Sequence, residues 1–211
     1  MDMPAPAIPK SLFVFSLFYG GMVTIAGVLG VKQVSLGPLA VEAGIFAFLL
    51  LVVMGSAVAE LHGKATADTM VRWGFVPLIS AALLIRLVLA LPTDSGMYPP
   101  AVTAFPIVVG QGARMMIAGV VAYGTSQTLN VLIFSKLSHR EGKLVWLRGM
   151  IASAISQVAD TLIFISVSFY GERPILNLMA GQMLAKVTLS VILVPWLITL
   201  FVALGRKLDR A

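Results

Sequence analysis

The 211-residue sequence is too apolar for a water-soluble protein: 59% of its residues are hydrophobic and 11% are charged. Soluble domains carry roughly 25% charged residues, so the charges here cannot cover a water-facing surface. The sequence therefore predicts an integral membrane protein. The net charge of +6 does not argue for nucleic-acid binding, because the basic residues follow the loops between apolar segments. The absence of cysteine excludes disulfides and thiolate metal sites.

Six apolar stretches are long enough to cross a bilayer, whose core of about 30 Å requires ~20 apolar residues per helix. In chain order, the predicted spans are residues 11–31, 39–59, 73–91, 104–134, 149–170 and 178–204. The fold class is therefore all-α, with six transmembrane helices in a single domain over residues 1–211. The first apolar run is longer than that of a signal peptide, so it is interpreted as a retained helix.

Lysine and arginine are distributed unevenly between the two sides of this arrangement. Ten of them fall in the termini and loops on one side, and Lys32 and Arg173 fall on the other. Basic residues concentrate in cytoplasmic loops. This asymmetry predicts that both termini are cytoplasmic and that the chain is a multi-pass protein of the plasma (inner) membrane.

Three basic residues, Arg86, Arg114 and Lys186, lie inside predicted spans. A basic side chain at the bilayer centre costs about 2.5–3.5 kcal/mol on insertion scales. The alternative is that the long side chain reaches an interface, which is easiest for Arg86 near the outer end of its span.

The fourth span is long and rich in glycine. Gln111 and Arg114 are spaced i, i+3, and Gln127 and Asn130 repeat this spacing closer to the cytoplasm. Glycines such as Gly110 permit either close helix packing or a local break, and breaks are tolerated where they line a cavity. The alternative is one long tilted helix with a small-residue packing face.

The fifth span carries a polar stripe in the segment SAISQVAD. Ser153, Ser156, Gln157 and Asp160 have the spacing of one helix face, and Phe164 continues this face one turn outward. For the serines, helix–helix packing is a sufficient explanation. An intramembrane carboxylate favours a functional site, although a structural ion pair of Asp160 with a basic residue is the alternative.

The sixth span repeats the pattern, with Gln182, Lys186 and Ser190 one turn apart and Pro195 predicted to kink the helix. Five of the polar side chains in the last three spans would then lie between the outer leaflet and the midplane: Gln111, Arg114, Asp160, Gln182 and Lys186. They predict a polar pocket that opens outward and holds a small polar solute. Candidate residues for a stacking face are Phe164, Phe105 and Tyr98.

Known enzyme motifs are missing from the sequence. His62 and His139 fall in cytoplasmic loops and are expected to be solvated, and no H-E-x-x-H, G-x-S-x-G or P-loop pattern is present. The sequence therefore predicts a protein that is not an enzyme, and no cofactor or metal is expected.

Two segments, ARMMIAGVVAYGTSQTLNVLIFSKL and WLRGMIASAISQVADTLIF, resemble the YhhQ/VUT family of queuosine-precursor transporters, as does AELHGKATAD after the second span. The resemblance implies a six-helix fold similar to the substrate-binding subunits of energy-coupling-factor transporters. It also implies uptake of 7-cyano- or 7-aminomethyl-7-deazaguanine, precursors in a tRNA modification. The matching polar positions are Arg114, Gln127, Trp146, Ser153, Asp160 and Lys186. Asn130 and Ser56 stand where the family pattern suggests aspartate.

The resulting prediction is a transporter for a deazapurine base. The predicted substrate-binding residues are Asp160, Gln157, Arg114, Lys186, Gln127, Gln182, Gln111, Ser153 and Phe164. The alternative is a non-catalytic membrane substrate-binding subunit or scaffold that needs an energising partner. The expected partners are the base and the lipid bilayer but no nucleic acid, with a homodimer and an energy-coupling ATPase module left open.

Overall fold

The computed structural model of the chain describes residues 8–36, 39–110, 113–137, 144–171 and 175–210. The described residues form eight helices and one antiparallel hairpin. The elements are α1 Lys10–Leu29, β1 Gln33–Leu36, β2 Leu39–Glu42, α2 Gly44–His62, α3 Lys64–Trp73, α4 Phe75–Ala90, α5 Pro99–Val109, α6 Ala113–Lys136, α7 Val145–Phe169 and α8 Leu176–Arg210.

Six helical segments of the described chain are long and apolar enough to cross a membrane, which confirms the predicted all-α class and the number of spans. They are Lys10–Leu29, Gly44–His62, Lys64–Ala90, Met115–Lys136, Val145–Phe169 and Met179–Arg210. The third segment combines α3 and α4, because Gly74 between them keeps a helical backbone, with φ −59° and ψ −21°. The third span therefore begins at Lys64 and not at residue 73 as predicted.

The predicted fourth span, residues 104–134, is not one continuous helix, as the alternative of a local break had indicated. It is divided into α5 and α6 at Gly110, where φ is −82° and ψ is 56°. A Cβ at Gly110 would lie 2.2 Å from the carbonyl oxygen of Pro106, so this turn needs glycine. With 11 residues, α5 is about 16 Å long and too short to cross the bilayer.

The second span also begins later than predicted. Residues 39–42 form β2, which pairs with β1 in the register Gln33↔Glu42 and Val34↔Val41. The side chain of Val41 is completely buried. The hairpin thus packs into the bundle, with β2 against α8, and α2 starts only at Gly44.

The central element of the bundle is α2, which contacts α1, α3, α6, α7 and α8. Its side chains are buried almost continuously from Leu49 to Val58. By contrast, α4 and α5 have no buried residue. Their apolar side chains are suited to contact lipid, while α2, α6, α7 and α8 enclose the polar interior.

The start of α1 is joined to the ends of α2 and α8 by a hydrogen-bonded cluster of Ser11, His62 and Asp209. The backbone N–H of Ser11 donates to Asp209 Oδ1 at 2.9 Å and its hydroxyl donates to Asp209 Oδ2 at 2.7 Å. The Ser11 hydroxyl also lies 2.7 Å from His62 Nε2. The expectation of a solvated His62 is therefore wrong: it is the last residue of α2 and is hydrogen-bonded across the bundle. His139 lies outside the described residues.

Candidate functional site

A buried ion pair lies in the interior of the bundle, between α7 and α8. Lys186 Nζ donates to Asp160 Oδ2 at 3.0 Å, and the two side chains are 8% and 9% exposed. The hydroxyl of Ser126 on α6 lies 3.3 Å from the other oxygen, Asp160 Oδ1. Each carboxylate oxygen therefore has a donor, and three helices meet at Asp160.

Three glutamines on the helices that meet at this ion pair are buried: Gln127 on α6, Gln157 on α7 and Gln182 on α8. Both amide atoms of Gln127 and Gln157, and Oε1 of Gln182, have no hydrogen-bond partner among the described residues. Burying an unsatisfied polar group costs roughly 1–3 kcal/mol. Such a concentration of unmet hydrogen bonds is typical of a surface that binds a polar ligand.

Buried serines extend this polar region along the two helices. Ser153, Ser156 and Ser190 are completely buried. Ser156 donates to the backbone carbonyl of Ser153 at 2.9 Å, a hydrogen bond within α7 itself. The hydroxyls of Ser153 and Ser190 have no partner among the described residues.

Asn130 and Ser56, the two positions that depart from the family pattern, contact each other between α6 and α2. Asn130 Nδ2 donates to Ser56 Oγ and to the backbone carbonyl of Val52, both at 3.2 Å. The helices approach closely here because Gly55 has no side chain. A Cβ at Gly55 would lie 3.6 Å from Asn130 Nδ2.

A second buried ion pair lies at the other end of α7. Arg148 Nη1 is 3.1 Å from Glu60 Oε2, and its Nε and Nη2 donate to the carbonyl of Phe134, each at 3.4 Å. The guanidinium carbon is also 4.2 Å from the centre of the Phe134 ring. Arg148 was counted among the ten basic residues of the predicted cytoplasmic termini and loops. That assignment is wrong, since this side chain is buried and joins α2, α6 and α7.

The predicted stacking residues do not lie beside the ion pair. Phe164 packs edge-to-face on Phe169, with 6.5 Å between ring centres, in an apolar cluster near the ends of α6, α7 and α8. Phe105 and Tyr98 are exposed. Phe48 of α2, which the sequence did not indicate, is the aromatic residue facing the site: Lys186 Nζ lies 6.0 Å from its ring centre.

Two predicted site residues cannot be placed. Gln111 and the side chain of Arg114 lie outside the described residues, and Trp146 is 44% exposed at the start of α7.

Over the described ranges, no group of three or more His, Cys, Asp or Glu side chains is arranged to hold a metal ion. The site is thus built from an ion pair, amides and hydroxyls.

The family model described as "Putative vitamin uptake transporter" matches residues 42–200. The chain belongs to this family. The match begins at the end of β2 and includes all the residues of the polar interior described above. It confirms the predicted YhhQ/VUT membership, and the prediction of a multi-pass membrane transporter rather than an enzyme agrees with it.

One similar protein is the "Probable queuosine precursor transporter" of Bacillus subtilis (strain 168). It is 31% identical to this chain over 143 residues, which are 65% of this chain and 61% of the relative. The match thus spans about three fifths of the relative's length. No solved structure is significantly similar to the chain.

Proposed function

We propose that the chain imports a queuosine precursor, 7-cyano- or 7-aminomethyl-7-deazaguanine, through an outward-opening pocket centred on Asp160 and Lys186. In this proposal residues 1–211 act as one transmembrane domain with both termini in the cytoplasm. The substrate follows from the name of the Bacillus subtilis relative and from membership of a family of uptake transporters. The observation that supports it most directly is the set of unpartnered glutamine amides around the buried ion pair.

The chemistry of this polar interior suits a flat base with hydrogen-bond donors and acceptors along its edges. A glutamine amide offers two donors and an acceptor, so Gln127, Gln157 and Gln182 can pair with the mixed edges of a deazaguanine. Lys186 carries three donor hydrogens and uses one of them on Asp160, so its ammonium can also serve a ring carbonyl. Phe48 offers an apolar face at the same place.

Ligand binding to the detergent-purified chain tests this function. A ligand that binds the folded state raises its apparent stability, by about 2.7 kcal/mol at a hundred times Kd. We expect 7-cyano-7-deazaguanine to raise the unfolding temperature of the wild-type chain and to have no effect on Asp160→Asn. Ser168→Ala is the matched control, because it removes a buried hydroxyl from the same helix outside the ion pair. An equal response of Asp160→Asn would contradict the assigned site.

An uptake measurement on the chain alone in proteoliposomes distinguishes a transporter from the alternative, a substrate-binding subunit that needs an energising partner. Accumulation of the labelled precursor inside the vesicles supports a self-sufficient transporter. Binding without uptake supports a subunit that needs an energising ATPase module. The mass of the purified protein in the same preparation tests whether the chain forms a homodimer.

A further inference from the structure

The carboxamide of Asn130 is held in one orientation by α2. Its Nδ2 carries two hydrogens, and both are directed at acceptors, the Val52 carbonyl and the Ser56 hydroxyl. A backbone carbonyl can only accept a hydrogen bond, so the nitrogen of the amide must face Val52. The amide therefore cannot turn over without placing two carbonyl oxygens against each other.

In this orientation the Asn130 side chain can form a further hydrogen bond only as an acceptor. Its Oδ1 is buried and has no hydrogen-bond partner among the described residues. Gln127, one turn earlier on the same helix, lies beside it with both amide atoms unpartnered. Gly55 makes room for both side chains, since a Cβ there would lie 4.0 Å from Gln127 Oε1.

The neighbouring groups are less able to discriminate between ligands. Both oxygens of Asp160 already have donors, Lys186 and Ser126. The amide of Gln127 is not held by any described partner, so it can turn to match either a donor or an acceptor. Asn130, by contrast, presents a fixed, neutral acceptor, and it lies one helical turn of about 6 Å from Ser126 along α6.

We propose that Asn130 is the residue that determines base specificity, its Oδ1 accepting a hydrogen bond from the N–H and amino edge of a guanine-type ring. An adenine-type ring presents a nitrogen lone pair and a C–H on that edge, which would leave Oδ1 unsatisfied. Sites that hydrogen-bond a substrate N–H reject analogues that lack it much more strongly than apolar pockets reject a missing methylene. This inference rests on the proposed function and adds Asn130 to the residues proposed to contact the base.

Dissociation constants of 7-deazaguanine and 7-deazaadenine, measured on the purified chain and its variants, test this role. We expect the wild-type chain to prefer 7-deazaguanine about a hundredfold. In Asn130→Leu the preference should fall below about tenfold, which corresponds to a loss of at least 1.4 kcal/mol of discrimination. Ser56→Ala, which releases one hydrogen of Nδ2, should give an intermediate preference. Ser168→Ala should keep the wild-type ratio.

The ratio of the two constants separates recognition from a structural role, since a packing defect weakens both ligands alike. An unchanged ratio of the two dissociation constants in Asn130→Leu would overturn the inference, even if both ligands lose affinity equally. If Asn130→Leu does not fold, the ratio in Ser56→Ala decides in the same way. A wild-type chain that binds neither ring would overturn the proposed function itself, whereas wild-type binding with unaltered ratios in the variants overturns only the role of Asn130.

Discussion

Two ion pairs in the described interior of the bundle have similar charge–charge distances and very different surroundings. Lys186–Asp160 and Arg148–Glu60 are separated by 3.0 and 3.1 Å, and both are largely shielded from solvent. Arg148 is further bonded to the carbonyl and ring of Phe134, whereas the glutamines beside Asp160 have amide atoms without a described partner. The proposed function therefore assigns the binding site by its unmet hydrogen-bonding capacity, because buried charge is common to both pairs.

The end of α6 explains why Arg148 is so well satisfied. The last four carbonyls of a helix lack intrahelical partners, and Phe134 is two residues before the final residue, Lys136. The guanidinium of Arg148 supplies donors to this carbonyl and a charge partner to Glu60. The pair acts as a structural connection between three helix ends.

Removing one partner of the structural pair should have the largest effect on stability. Glu60→Gln leaves the Arg148 charge buried without its counter-ion, which costs about 3–5 kcal/mol. Thermal unfolding in detergent measures this loss. Asp68→Asn is the control, because it breaks the partly exposed i, i+4 pair with Lys64, worth about 0.2–1 kcal/mol. Equal stability of Glu60→Gln and Asp68→Asn would contradict the distinction between buried and surface pairs.

Replacing both partners of each pair by apolar residues should separate stability from function. Such replacements are often neutral or stabilising, because no unpaired charge remains. Glu60→Leu with Arg148→Met should therefore keep most of the stabilisation by 7-cyano-7-deazaguanine. Asp160→Leu with Lys186→Met should fold and lose that stabilisation. The comparison fails if the second double variant responds to the ligand like the first.

A smaller effect is expected at a polar contact outside both pairs. The Tyr123 hydroxyl lies 3.0 Å from both the Tyr19 hydroxyl and the carbonyl of Val71. Tyr123→Phe should lower the unfolding free energy by about 1 kcal/mol, the usual net value of one hydrogen bond. Ligand affinity should stay unchanged, and a loss of affinity would extend the site towards α1 and α3.

The number of spans could be predicted because a long apolar run is a strong signal in a single sequence. The sequence could not decide whether Gly110 breaks the helix, since glycine is also common where helices merely pack closely. The apolar residues at 39–41 were assigned to a helix, although the alternating segment from Gln33 to Glu42 pairs with itself as a hairpin. Residues 39–41 alone fit a helix or a strand, and the pairing with β1 decides for the strand.

The polar stripe of α7 was predictable for a related reason, since helical periodicity places Gln157 and Asp160 on one face. Periodicity does not fix how helices are rotated against each other. The contacts of Ser126 with Asp160, and of Ser56 with Asn130, depend on this rotation and were missed. Arg148 was assigned to a loop because its charge and position near a span end fit the membrane interface equally well.

The hydrogen-bonded cluster of Ser11, His62 and Asp209 allows the order of the helices along the chain to be changed. Because Ser11 and Asp209 are hydrogen-bonded, the start of α1 and the end of α8 are neighbours. A short linker can therefore connect them, and new termini can be opened between α6 and α7 without changing which helices touch. A permuted chain of this kind that still binds its ligand would show that the bundle forms from its helices regardless of the order in which they enter the membrane.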